Sequence, residues 1–423
     1  MGAIYIDTGG SATNSGSRDS NTAALSGTAA TVAAAVVSLL TDNPDLSSVD
    51  ATEGSATQDR IYLNDATNAN IKSFRIIAKD DTAGVKTVTV HVAPTGIVSS
   101  AWAIGGRYAA PSGNGLNLID GAFLAGDVVT VNNSPAGATV DWVTGRTAGT
   151  TAAGYIKVIG KAGSRPVINV TNTTQCIEGG SQALWWLENL ECDQDGASGN
   201  AVTTLGSGAT LYDMKVSDAG GNGISLSSSI VRILASEVSG VVDGITGAIG
   251  TYLYGNYVHD CSGDGWDQPG AASPVIAQFN IFDTCAGRGI EFSSTAYSAP
   301  SQIIIVTHNT IYGCGNTGLE VADADAPVIL HNNIFSENGN AAGEFNVEWL
   351  AGTAEAVSFH AWNVFYHSGG GGGANLSNLT VNAQVSASEF TTDPGFTDAA
   401  GGDFSISSTS PAKATGYPGQ FLG

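Results

Sequence analysis

Residues 256–267 read NYVHDCSGDGWD, residues 280–291 read NIFDTCAGRGIE and residues 309–320 read NTIYGCGNTGLE. Each segment opens on Asn, carries Cys five residues later and Gly nine residues later, and closes on an acid two residues past the Gly. The apolar stretches between these columns are too short for a helical hairpin. One such unit cannot bury its own apolar face. Units must therefore stack about 4.8 Å apart, each strand pairing in parallel with its copy in the next turn. The segments predict an all-β solenoid in which residues distant along the chain become vertical neighbours.

Working outward, the Gly column extends back to Gly223 and Gly244, so the intervals to Gly265, Gly289 and Gly318 run 21, 21, 24 and 29 residues. Asn332-Asn333-Ile334-Phe335 and Asn363-Val364-Phe365 continue the Asn series. Unequal intervals at constant columns mean loops added at one corner of each coil. The stacked Asn amides are expected to hydrogen-bond along the column. The glycines are expected to supply corners at positive φ. Cys261, Cys285 and Cys314 read as small inward-facing hydrophobes.

Composition agrees. Of 423 residues 56 are Gly, 42% are hydrophobic and only 13% are charged, which suits stacked strands joined by small polar turns. Net charge is −23, from 38 acids against 15 bases, a field that repels nucleic acid and anionic lipid. Neither nucleic acid nor membrane is therefore expected as a partner. The five cysteines form no C-x-x-C pair, and the histidines supply no zinc spacing, so no structural metal is read. The opening MGAIYIDTGG lacks a basic segment followed by an apolar one, so no secretory signal is read there. The run AATVAAAVVSLL at 29–40 is too short to span a bilayer.

Three zones follow. Residues 1–110 read as an N-terminal cap and attachment region: a strand at Ile4–Ile6, a helix through Val32, Val36, Val37 and Leu40 ending before Pro44, and inserted strands at 73–78 and 85–92. Residues 111–368 read as the solenoid. Residues 369–423 begin with five glycines and read as a break followed by a C-terminal cap over the last open coil.

With these segments laid out, the chain resembles the pectate-lyase-like right-handed parallel β-helix superfamily. IYIDTGG with the following loop resembles its N-terminal capping segment. Ala125-GDVVTV, Tyr155-IKVIGKAGSRPVI and Trp185-WLENLECD resemble successive coils. Asp393-PGF and Gly402-DFSISSTSPA resemble the closing segment of bacterial and phage members. The resemblance implies the fold and leaves activity open, since such proteins include lyases, glycoside hydrolases, tailspikes and silent structural proteins. One departure matters. Uronate lyases need basic groups, and Arg288 is the sole arginine after Arg232.

The positions two residues past the marker glycines read Ser225, Thr246, Asp267, Glu291 and Glu320. Strand alternation turns these outward, so Asp267, Glu291 and Glu320 form a candidate catalytic row. Adjacent coils place carboxyls about 5 Å apart, the separation of a retaining glycosidase pair. Like-charged neighbours should raise the middle acid's pKa. Asp264 and Arg288, just before two of the glycines, and His308 are candidate substrate-binding residues. The competing reading is a solvated acidic ladder or a weak Ca²⁺ site; no other cofactor is expected. His308 and His331 are each followed by Asn and are expected to stack. Trp185, Trp186 and Trp362 are candidate sugar platforms, while Trp266 falls in an inward column. Walker, G-x-S-x-G and dinucleotide fingerprints are absent.

Two functions remain. The first, implied by resemblance to phage proteins, is a virion component (tailspike, fibre or decoration protein). It would be homotrimeric, would contact other virion proteins and would present the stack to a surface polysaccharide. The alternative is a polysaccharide-degrading enzyme, a glycoside hydrolase before a uronate lyase, phage-borne or secreted.

Overall fold

The computed structural model describes residues 3–11, 25–39, 44–53, 58–63, 72–82, 84–91, 93–94, 99–104, 128–131, 140–141, 155–169, 175–178, 183–196, 198–203, 206–226, 230–247, 250–269, 274–293, 303–321, 328–339, 345–349, 359–368, 374–377, 384–385 and 390–415. The five-glycine break at 369–373 lies outside them. The chain divides into two compact units, Met1–Asp193 and Gln194–Gly423.

In the second unit each coil from Thr210 to Ser377 contributes one strand to each of three parallel ladders. A representative coil runs through Thr251–Tyr254 in the first ladder, Tyr257–His259 in the second and Trp266–Gln268 in the third. The next coil repeats this with Val275–Gln278, Ile281–Asp283 and Ile290–Phe292, in register with the strands before it. Inward residues of all three ladders meet in a continuous core that contains Leu253, Val258, Trp266, Phe282 and Phe292, each fully buried. This is the expected right-handed parallel β-helix.

The Asn column forms as read. Asn256, Asn280, Asn309 and Asn333 each donate from Nδ2 to Oδ1 of the next Asn at 2.8–3.0 Å, ending on Asn363. Each amide also reaches back to a carbonyl of the preceding coil, as Asn280 does to Leu253 at 3.2 Å. Buried donors and acceptors are thereby paired without water. Cys261, Cys285 and Cys314 are buried free thiols, as expected.

The marker glycines act differently from expectation. None of Gly223, Gly244, Gly265, Gly289 and Gly318 has positive φ. They are glycines because the backbones of adjacent coils approach closely. A Cβ on Gly265 would lie 2.6 Å from the carbonyl oxygen of Gly289, and one on Gly289 would lie 2.6 Å from that of Gly318. The positive-φ corners carry other residues, including Asp213, Ala235, Phe279 and His308.

The first unit opens with a strand, Ala3–Ser11, that pairs in parallel with Val128–Val131, which pairs in turn with Ile156–Gly160 and that with Trp185–Glu188. Between the first two lies a closed antiparallel barrel in the order Leu25–Ala33, Val36–Leu39, Lys86–Val90, Lys72–Asp80, Arg60–Leu63 and Ser99–Ile104. Its own core includes Val37, Leu39, Ile61, Ile76, Val88 and Trp102. The expected helix through Val32 and Leu40 is instead a hairpin, with Val32 opposite Val37 and a turn at Ala34, whose φ is +53°. Alternation explains it. Val37 and Leu39 are buried while Val36 is 38% exposed, and β-branched side chains at 36 and 37 favour the strand.

The C-terminal segment meets the last described strand of the second ladder, where Phe390 pairs in parallel with Val364. Its strands Phe396–Asp398 and Asp403–Ile406 form a hairpin that lies along the outer side of the second ladder. Phe404 packs edge-on against Tyr312 at 5.5 Å and Tyr257 at 6.5 Å. Ala412, Phe396 and Ile406 cover Ile334 and Val364, apolar residues that would otherwise face solvent.

Candidate active site on the third ladder

The third-ladder strands that carry the acids, Trp266–Gln268, Ile290–Phe292 and Leu319–Val321, are three residues long. Ile290 and Phe292 point inward and Glu291 outward; Leu319 and Val321 flank Glu320 in the same way. Register then aligns Thr246 with Asp267, Asp267 with Glu291, and Glu291 with Glu320. The carboxylate row exists as read, and it continues one coil further to Glu348. Glu348 escaped the sequence reading because its coil has Asn346 where the others have the marker glycine. Its offset of two residues from that position was the available signal.

A second column runs beside the row at the turn before each strand. The Asp243 carboxylate accepts the Asp264 main-chain N–H at 2.9 Å, and the Asp264 carboxylate accepts that of Arg288 at 2.6 Å. One oxygen of Asp264 is thus committed to backbone. The Arg288 side chain turns over the row. Its Nε donates to Glu320 at 2.7 Å, and its Nη1 stands 3.5 Å from Glu291 and 3.7 Å from Asp264. Ser293 Oγ donates to Asp267 at 3.3 Å, and Thr317 Oγ1 donates to Glu348 at 3.4 Å. Asp264, Arg288, Asp267, Glu291 and Glu320 are therefore one cluster.

Burial decides the protonation of this cluster. It is the largest influence on Glu291, followed by a hydrogen bond with Asp264. Together with the Asp264 and Asp267 charges these push Glu291 up to about 8, against the pull of Arg288. Asp267 and Asp243 are also raised, again chiefly by burial. The expected shift of the middle acid is present, but desolvation outranks the neighbouring charges as its cause. The Arg288 guanidinium lies among Asp264, Glu291 and Glu320, so the row is ion-paired at this point. Among the described residues no group of three or more His, Cys, Asp or Glu side chains is arranged to hold a metal.

His308 is not part of this cluster. It stands at the corner between the first and second ladders, stacked on Phe279 at 4.8 Å, with Asn332 Nδ2 3.0 Å from its Nε2. Nor do His308 and His331 share a column: His331 is in register with Thr307, one residue earlier, because two asparagines follow it. Trp185 and Trp266 are fully buried core residues, which removes Trp185 as a sugar platform.

A family model described as "Right handed beta helix region" matches residues 200–348. No curated protein matches the chain. Among solved structures, pectate lyase Pel9A superposes with a TM-score of 0.51 at 14% identity, over 70% of this chain and 84% of that one. Full-length tailspike protein 2 of the Escherichia coli O157:H7 bacteriophage CAB120 is similar at 14% identity and a TM-score of 0.37, over 79% of this chain and 49% of that one. The catalytic unit of an α-1,3-glucanase from Streptomyces thermodiastaticus strain HF3-3 is similar at 13% identity and a TM-score of 0.31, over 87% of this chain and 86% of that one. Pel9A carries the fold comparison, and it agrees with the stacked ladders and the matched region: this chain is a right-handed parallel β-helix protein of pectate-lyase-like fold.

Proposed function

We propose that this chain is a carbohydrate-active β-helix protein whose third ladder hydrolyses a glycosidic bond. One observation carries the reading: Glu291 stands in the middle of an in-register carboxylate row and holds its proton up to about pH 8. A carboxylic acid kept neutral at physiological pH can protonate a glycosidic oxygen as the C1–O bond breaks. Asp267, one coil away, is placed to attack C1 as its carboxylate, at the roughly 5 Å spacing of retaining pairs. Water then hydrolyses the glycosyl ester, with Glu291 now accepting the proton. Arg288 ties Glu320 in place and also faces Asp264 and Glu291, so it has little left to offer a uronate. A glycoside hydrolase is favoured over a uronate lyase on that ground.

The test is to measure new reducing ends from a panel of neutral, acidic and amino polysaccharides. Release from at least one is expected, with Glu291→Gln and Asp267→Asn reducing it at least 10³-fold without lowering the thermal midpoint. No release across the panel overturns the reading.

A second reading rests on the inserted barrel. A module with its own core, set into the start of the solenoid, suits attachment to a larger particle. The chain would then be a phage virion component, a trimeric tailspike or decoration protein, whose stack meets a surface glycan. Mass spectrometry of purified particles that recovers this chain at stoichiometric amount supports it, and absence from particles removes it.

A further inference from the structure

At the turn from the first ladder to the second, each coil places one residue at positive φ just before the ladder position. These φ values are +48° at Ala235, +66° at Gly255, +58° at Phe279, +57° at His308, +55° at Asn332 and +54° at Trp362. Gly and Asn suit that conformation, while other residues are disfavoured there by their Cβ. Three coils nevertheless spend the position on a ring. The turn imposes this backbone on every coil, so what distinguishes these three is the ring they carry.

The rings meet. Tyr254 lies edge-on to Phe279 at 5.3 Å, and Phe279 stacks on His308 at 4.8 Å. His308 lies 6.1 Å from His331, which lies 5.0 Å from Trp362. They form a ridge along five coils, about 19 Å at the spacing of stacked strands. Tyr254 and Phe279 are 43% and 44% exposed, unusual for rings this large. Beside them the Tyr252 hydroxyl meets Gln278 at 3.4 Å. The first-ladder strands from Thr251 to Ala361 contain no Asp, Glu, Lys or Arg among the described residues.

We propose that this aromatic ridge is a binding site for an extended neutral glycan, whose pyranose C–H faces lie on Tyr254 and Phe279 while its hydroxyls reach Tyr252 and Gln278. A ring presents an apolar face with a polar edge nearby, the combination that a sugar presents in complement. The ridge is too small for a protein partner. At roughly 20 Å by 10 Å it offers about 200 Å², against about 800 Å² per partner in a stable interface. Single-stranded nucleic acid also stacks on such rings, but the net charge of −23 opposes it. The ridge lies on a different ladder from the carboxylate row, so its occupancy does not depend on the proposed hydrolysis.

Calorimetric titration with cellohexaose, laminarihexaose, maltohexaose and dextran tests the site, with polygalacturonate as the charged control. At least one neutral glycan is expected to bind. Phe279→Asn is the informative variant, because Asn accepts the left-handed backbone and folding is preserved or improved. It should weaken binding about tenfold or more. Three outcomes overturn the site: no neutral glycan binds, Phe279→Asn binds as well as the parent, or sedimentation shows a self-association that Phe279→Asn abolishes.

Discussion

Arg288 donates through Nε to Glu320 across 2.7 Å, joining two coils of the third ladder by a short ion pair whose acid is almost wholly buried. The same guanidinium stands beside Glu291 and Asp264, so one cation compensates an acidic face.

Replacing Arg288 by Gln should destabilise the fold by about 1–3 kcal/mol at pH 8, because buried carboxylates then lose their counter-charge. The loss should shrink at pH 5, where Glu291 is neutral in either protein. Chemical denaturation at the two pH values reads this directly. Equal losses at both would mean that Arg288 acts through packing alone.

Folded Glu291 keeps its proton to about pH 8, while an unfolded glutamate releases it near 4.5. Between those values the folded state binds more protons, so this residue's contribution makes stability fall as pH rises through the window. Glu291→Gln should therefore raise the thermal midpoint at pH 9 by about 2–4 °C and change it little at pH 5. Any glycosidase activity should decline above about pH 8 as the acid ionises.

Asn280→Ala removes an amide that accepts from Asn256 and donates to Asn309 and to the Leu253 carbonyl. The partners stay buried and unpaired. A loss of about 2–4 kcal/mol is expected, with hydrogen exchange accelerated at the neighbouring coils on both sides.

Two glycines should separate close approach from backbone conformation. Gly265→Ala sets a Cβ 2.6 Å from the Gly289 carbonyl and should cost about 1–3 kcal/mol or more. Gly255→Ala meets open space but sits at φ +66°, so about 1 kcal/mol is expected. Comparable losses at both sites would contradict this division.

The solenoid was legible because its signals are periodic. Asn256, Asn280 and Asn309 recur with Cys and Gly at constant offsets, and stacking converts offset into adjacency, so the row from Asp267 to Glu320 followed from spacing alone. Three things were hidden. The hairpin at 25–39 mixes Ala with Val, and an Ala-rich run carries no period that separates strand from helix. The marker glycines could be located but not explained, since close backbone approach leaves no trace in sequence distinct from positive φ. Arg288 appeared as a lone base beside the acids; that its side chain would fold over three of them depends on rotamer and coil geometry, which composition does not encode.

The parallel pairing of Ala3 with Val128 has a consequence for synthesis. As the chain leaves the ribosome, its opening strand must wait for 125 more residues (128 − 3) before its partner exists. Meanwhile the antiparallel barrel encoded in between draws those two segments together when it closes, shortening the loop that must be ordered before the first pair of coils can meet. Closing the barrel sets Leu25 beside Ile104, which leaves a much shorter loop to order before Ala3 meets Val128.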